Sequence, residues 1–294
     1  MAVWCFGSIN SDIFYQVPHI PRPGETIAGM SRTTGLGGKG ANQSVAAARA
    51  GSVTYHLGAV GADGEWAVER LRSFCVETSG IARVDVPTGH AIIPVADDGE
   101  NAIIIYGGAN QAQSPLEIKA SLQGAKAGDI FLLQNEVSHQ VEIAKFARDI
   151  GLRVMYSAAP FDVKAVRTVL ECCEAILVNE IEAAQLLPEL DVDLLESSVK
   201  GLLVTLGSNG AEWRDLNSGE VTKVNAYPVD AVDSTGAGDT FAGYFAAGLD
   251  QGLKLEKAMD LASAAAALMV TRPGTSDVIP SREEVLTFQA SVRS

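Results

Sequence analysis

Short, largely apolar runs recur along the 294-residue chain, most of them ending in a polar residue or a glycine. Residues 3–8 run into Ile9 and Asn10, residues 130–134 into Asn135 and Glu136, and residues 153–156 into Ser157. Residues 176–178 run into Asn179 and Glu180, and residues 202–206 into Gly207. A strand with one wet face alternates apolar and polar side chains. Runs without alternation need cover on both faces, as parallel strands in βαβ units have. Between the runs lie segments with helical spacing, at 39–50 (halted by Gly51), 65–76, 139–150 and 163–172. The pattern predicts an α/β fold, a mostly parallel central sheet flanked by helices. Ligands of such sheets bind beyond the carboxyl ends of the strands, which places Asn10, Glu136 and Asn179 on the face where chemistry is expected.

Two stretches break the rhythm. Residues 11–34 carry Pro18, Pro21, Pro23 and Gly24, which forbid a helix. Residues 91–95 and 102–106 read as short strands joined by Asp97-Asp98-Gly99-Glu100, where the Asp-Gly step signals a hairpin. Both stretches are expected in a small β-layer that covers the main domain as a lid. The division is then a core of residues 1–11, 35–87 and 107–294, with a discontinuous lid of residues 12–34 and 88–106.

Composition limits what such a fold can serve. With 47% apolar and 20% charged residues the chain can bury a core, and disorder is excluded. Thirty-six acidic residues outweigh 22 basic ones, a net charge of −14, which argues against a nucleic-acid partner because phosphate contacts need Lys and Arg in excess. It leaves room for a small phosphorylated ligand, held by local donors and dipoles. Cys5, Cys75, Cys172 and Cys173 form no Cys-x-x-Cys pair, and the four His lie apart from them, so reduced and mostly buried thiols are expected rather than zinc. The first residues lack a basic, signal-like segment, and the apolar tract 262–270 is far shorter than the roughly 20 residues a bilayer needs. A cytoplasmic protein is expected, without a membrane partner.

Two glycine-rich segments carry the chemistry. Gly35-Leu36-Gly37-Gly38-Lys39-Gly40-Ala41-Asn42-Gln43 fits G-x-G-x-x-G by letter, but it follows polar residues 31–34, and no suitable acidic residue stands about 20 positions on. A Walker A loop fails too, because Gly40 stands where Ser or Thr is required. What remains is a glycine turn feeding a helix, with Lys39 and Asn42 at its mouth to meet a polyol. The second segment, Asp233-Ser234-Thr235-Gly236-Ala237-Gly238-Asp239-Thr240-Phe241, leads into an apolar helix. Gly236, Ala237 and Gly238 present amides at a helix N-terminus, an anion site. Asp239 beside them is either a charge partner of the helix dipole or a base for a substrate hydroxyl.

Together these segments resemble the two motifs of the ribokinase family, the PfkB carbohydrate kinases. The likeness runs through the whole chain in order: Gly7-Ser8-Ile9-Asn10-Ser11-Asp12, Pro23-Gly24-Glu25-Thr26, Gly108-Ala109-Asn110, Asn179-Glu180-Ile181-Glu182 and Thr205-Leu206-Gly207-Ser208-Asn209-Gly210. The resemblance implies a ribokinase-like fold and ATP-dependent phosphorylation of D-ribose to D-ribose 5-phosphate. In these terms Asp239 is the base and Gly236, Ala237 and Gly238 the anion hole. Asn10 and Asp12, at the end of the first strand, hold sugar hydroxyls together with Gly38, Lys39, Asn42 and Glu136. Asn179 and Glu182 organise Mg²⁺ through water, and Thr205, Gly207, Gly210, Gly238 and Ser263 face the nucleotide. Asp233, Thr235, Val270 and Gly274 enclose K⁺.

The chain departs from the family in two places. It has Tyr156-Ser157-Ala158-Ala159-Pro160 where ribokinases commonly carry Asn-Pro-Ala-Pro-Ala, and Ser263 stands where an Asn is usual near the adenine. Both departures bear on the nucleotide side. Ala91, Ile93 and Ile105 are expected to cover the sugar. A homodimer through the lid is expected, since its open edges invite pairing. Kinases for another sugar or a nucleoside stay open as alternatives, as does a sensor that keeps the fold without turnover.

Overall fold

The structure is a computed structural model that describes residues 1–189 and 199–293. In chain order the strands are β1 (Val3–Phe6), β2 (Asn10–Val17), β3 (Ser31–Gly37), β4 (Thr54–Val60), β5 (Val76–Arg83), β6 (Gly89–Ala96) and β7 (Ile104–Tyr106). They continue with β8 (Ile130–Gln134), β9 (Arg153–Ser157), β10 (Ala175–Asn179), β11 (Gly201–Thr205), β12 (Ala211–Asp215) and β13 (Val221–Val224). The described α-helices are α1 (Lys39–Arg49), α2 (Glu65–Ser73), α3 (Pro115–Ser121), α4 (Gln140–Asp149), α5 (Val163–Val169) and α6 (Glu180–Leu186). After them come α7 (Ala237–Asp250), α8 (Leu255–Met269) and α9 (Arg282–Arg293).

Among the described residues one sheet has nine strands in the order β13-β12-β11-β10-β9-β8-β1-β4-β5. It is parallel from β11 to β5, and β12 and β13 add an antiparallel edge. The non-alternating runs are explained by cover on both faces. Val3, Ile130, Leu132, Leu177 and Leu203 point to the layer of α1, α2, α7 and α8, while Trp4, Phe6, Phe131, Leu133, Ile176 and Leu202 point to that of α3 to α6. Each such side chain, fully buried, contributes about 1.5–3 kcal/mol over its exposed state.

The smaller sheet has the order β3-β2-β6-β7. β2 pairs in parallel with β6, while β3 and β7 close the edges antiparallel. The Asp-Gly step forms the turn between β6 and β7, with Val95 and Asn101 bridged across it. The expected helix 65–76 ends at Ser73: Cys75 turns left-handed (φ 63°), and Val76 enters β5, buried beside Thr54. Helix 163–172 is α-helical to Val169 and tightens to a 3₁₀ turn over Leu170–Cys172. A second difference concerns the site. β1 ends at Phe6, and Asn10 and Asp12 belong to β2 of the small sheet, not to the end of the first strand. The run 3–8 misleads because Gly7 and Ser8 are buried for another reason, the close passage of α1 described below.

Cys5, Cys172 and Cys173 are buried, Cys75 is exposed, and all four are free. Among the described residues no helix is long and apolar enough to cross a membrane.

Candidate active site

The site forms where the first turns of α1 and α7 meet. α1 enters against the chain crossing from β1 to β2: a side chain on Gly40 would lie 2.5 Å from the Gly7 backbone. Gly37 is glycine because the Asp12 carboxylate fills the space beside it, with Oδ2 only 1.9 Å from where a Cβ would stand. Close approach therefore accounts for the glycines at 37 and 40, and the polyol reading of that turn rests on Lys39 and Asn42. Farther along, a Cβ on Gly243 of α7 would meet Gln43 O and Ala46 Cβ of α1 at 2.5 Å. Gly243 lies one turn beyond Asp239 on the same helix face, so its bare backbone lets α1 come near enough for side chains to reach Asp239.

Asp239 is buried in the first turn of α7. Asn42 Nδ2 donates to its Oδ2 at 3.1 Å and Gln43 Nε2 to its Oδ1 at 2.9 Å. Gly236 caps the helix at φ 78°, a left-handed conformation that costs other residues about 1–2 kcal/mol. Gly238 differs: its φ is ordinary and a Cβ there would meet nothing within 4 Å.

Charge around Asp239 is dense. Its carboxylate is the main cause holding the partly buried Lys39 ammonium above its ordinary pKa, with Glu136, Glu182 and Asp12 adding to it against the cost of burial. Burial, then Glu136 and Asp239, push Asp12 up to about 7, with Lys39 opposing. Burial also raises Glu136, against Lys39 and the Ser8 hydroxyl, which donates to Glu136 Oε2. The Lys39 backbone N–H donates to the same oxygen at 3.2 Å. Asn10 Oδ1 accepts from Asn110 Nδ2 at 2.8 Å, fixing its amide on the face of β2 that also carries Asp12.

Two cavities meet at Thr205, Gly238 and Phe241. One, of about 170 Å³, is lined by Lys39, Ser157, Asn179, Glu182, Thr205, Gly236 and Asp239. The other, of about 490 Å³, is lined by Thr205, Gly207, Gly210, Tyr227, Ala237, Ser263, Ala267 and Val270. Asn179 and Glu182 are one capping box at the start of α6: Asn179 Oδ1 accepts from the Glu182 N–H and Glu182 Oε2 from the Asn179 N–H, both at 2.8 Å. Ser263 donates to the Asn225 carbonyl at 3.0 Å. Asp233 accepts from the N–H groups of Thr235 (2.9 Å) and Gly274 (3.1 Å), drawing the two expected loops together. Val270 O accepts from Val232 and Asp233. Burial opposes the charge on Asp233, but these donors overcome it and hold the carboxyl below its ordinary pKa.

The expected residues are brought together here, and strand pairing sets Asp12, Ala91 and Ile105 in one row across the small sheet, with Ala91 and Ile93 buried and Ile105 60% exposed. Ile105 sits on the edge strand β7. Sequence reasoning gave no role to Gln43 or Gln134, both wholly buried. The available signal was a glutamine among Ala41, Val45 and Ala46, and another closing the apolar run 130–133, places where a polar side chain needs a partner.

Fold and site together define a class: an α/β protein with two cavities that adjoin at the N-terminus of one helix, the smaller one lined by a carboxylate and a lysine. The profile of the pfkB family carbohydrate kinases matches residues 2–282, and the chain belongs to that family. It is a sugar kinase. The ribokinase of Lactococcus lactis subsp. lactis (strain IL1403) is 35% identical over 285 residues, covering 95% of this chain and 94% of that protein. The deoxyribokinase of Salmonella typhi is 32% identical over 304 residues, 97% of each. The structure of Arabidopsis thaliana ribokinase complexed with ribose and ATP superposes with a TM-score of 0.85 at 31% identity, covering 98% of this chain and 99% of that one.

Proposed function

We propose that the chain transfers the γ-phosphoryl group of ATP to the 5-hydroxyl of D-ribose. The observation that carries this reading is the buried Asp239 carboxylate beside Lys39, in a helix turn that borders both cavities. Asp239 accepts the hydroxyl proton as the oxygen attacks the γ-phosphorus; the bond to the ADP oxygen breaks, and ADP leaves with its charge. The N–H groups of Gly236, Ala237 and Gly238 stabilise the anionic oxygens, and the absent Cβ of Gly238 leaves the phosphoryl group room to approach. Asn10, Asp12, Gly38, Lys39, Asn42 and Glu136 hold the sugar. Lys39 also offsets the carboxylates around it. Thr205, Gly207, Gly210 and Ser263 line the larger cavity where ATP lies, and the Ser263 hydroxyl, turned to Asn225, leaves the base to apolar contact.

Asn179 and Glu182 suit Mg²⁺ held through water: the capping box occupies one oxygen of each, and Glu182 keeps the second for the pocket. The ion would neutralise phosphate charge. Asp233, Thr235, Val270 and Gly274 form the cation loop; Asp233 is kept ionised and the loops are already joined, as K⁺ binding requires. The small sheet, as a lid over residues 12–34 and 88–106, excludes water from the sugar. Its exposed edge, Ile103 to Tyr106, supports a homodimer. A cytoplasmic setting suits ATP and four free thiols.

A phosphorylation assay over D-ribose, 2-deoxy-D-ribose, hexoses and nucleosides, with and without K⁺, tests the reading. Ribose turnover should lead and rise with K⁺; faster turnover of 2-deoxyribose would favour the second reading that the Salmonella typhi relative supports.

A further inference from the structure

Behind Asp239 runs a chain of buried amides. Gln43 Nε2 donates to Asp239 Oδ1 at 2.9 Å, and Gln134 Nε2 donates to Gln43 Oε1 at 2.6 Å. The polarity is dictated by the carboxylate. An ionised Asp239 only accepts, so Gln43 must aim its nitrogen at it and its oxygen at Gln134, which must answer with its own nitrogen. The cost appears at the far end, where Gln134 Oε1 is buried against Gly7 without a donor. A buried acceptor left unpaired costs about 1–3 kcal/mol, so the arrangement is not the one folding alone would select. Asn42 is pinned likewise: Ser276 Oγ donates to its Oδ1 at 2.6 Å, turning Nδ2 to Asp239 Oδ2.

We infer that Gln43, oriented by Gln134, is a positioning residue for Asp239: it fixes the rotation of the carboxylate, so that one lone pair faces the sugar hydroxyl. This rests on the reading of Asp239 as the base. Gln43 lies on the protein side of Asp239 and is wholly buried, so no small molecule reaches its side chain. Its loss should therefore touch turnover and leave sugar binding alone. The titratable groups that act on Asp239 from its surroundings are Lys39 on α1, Asp12 on β2, Glu136 after β8 and Cys5 on β1. All of these stay in place in the variants below.

The test uses Gln43→Met and Gln134→Met, similar in length but without an amide, and Asp239→Asn as reference. Gln43→Met should lower kcat about 10- to 100-fold, the scale of a slightly misplaced reacting group, with the KM for ribose within about threefold. The acid side of its kcat–pH profile should move to higher pH, because the charged carboxylate has lost a donor. Gln134→Met should move both quantities the same way but less, and the double variant should be no worse than Gln43→Met, since Gln134 acts through Gln43. If Gln43→Met unfolds, Gln134→Met alone decides: reduced kcat at unchanged KM with the shifted profile supports the inference, and a wild-type profile overturns it. Wild-type kcat and pH profile in a folded Gln43→Met overturns it as well, provided Asp239→Asn is inactive. Full turnover by Asp239→Asn would instead remove the base reading, and the inference with it.

Discussion

At the residue scale the site is governed by buried charge. Asp12 sits among carboxylates with Lys39 as counter-charge, and burial with its neighbours lifts it to about 7 against about 3.9 for a free Asp. A folded state that holds this proton more tightly than the unfolded chain loses stability as pH rises from about 4 to about 7. Asp12→Asn, which never ionises, should thus melt higher than the parent at pH 8. The gap should shrink toward pH 5 while ribose affinity falls; differential scanning fluorimetry across that range and a ribose titration check both. Gly238 offers a second separation of stability from function. Since its Cβ would touch nothing in the protein, Gly238→Ala should keep or slightly raise the melting temperature, helix propensity favouring Ala by about 1 kcal/mol. Turnover should drop about tenfold or more if phosphoryl groups approach there. A Gly238→Ala enzyme with parental kcat would place the phosphates elsewhere.

At the element scale the decisive event is the crossing of α1 and α7. Neither helix carries the site alone: α1 brings Lys39, Asn42 and Gln43, α7 brings Asp239, and Gly243 lets them touch. Gly243→Ala would force a methyl against Gln43 O and Ala46, overpacking that typically costs about 1–3 kcal/mol. For a chain of this size that is a fall in Tm of roughly 2–12 °C. It should lower kcat more than the similar strain of a substitution distant from α1, because the donors to Asp239 move with the helix. Calorimetry and steady-state kinetics on the same preparation measure both.

At the scale of the whole molecule the small sheet leaves β7 as an open edge with Ile103, Ile104, Ile105 and Tyr106 about half exposed or more. Exposed apolar edges invite strand pairing. Ile104→Lys should turn a dimer into a monomer by light scattering, with the fold intact by circular dichroism; a parent that is monomeric at assay concentration would contradict the dimer. How much of this was legible beforehand depends on range. The parallel strands and α1 were readable because burial on two faces and helical spacing are local patterns. The end of β1 and the assignment of Asn10 and Asp12 to β2 were not, because Gly7 and Ser8 are buried by α1, which arrives some 30 residues later. That Ile105 stands in one row with Ala91 and Asp12 was not legible either, because strand alternation gives a residue's face but not its partner across the sheet.

What the sequence by itself determined is the class of fold, the order of the strands' chemistry and the two glycine segments, since each follows from side-chain periodicity or from a motif contiguous in the chain. Only the tertiary structure decided that Asp239 is gripped by Asn42 and Gln43, nearly 200 residues away, and that Gln134 stands behind Gln43. The physical reason is that a buried polar group must find its partner wherever the packed helices place one, and no local pattern records which distant residue that will be.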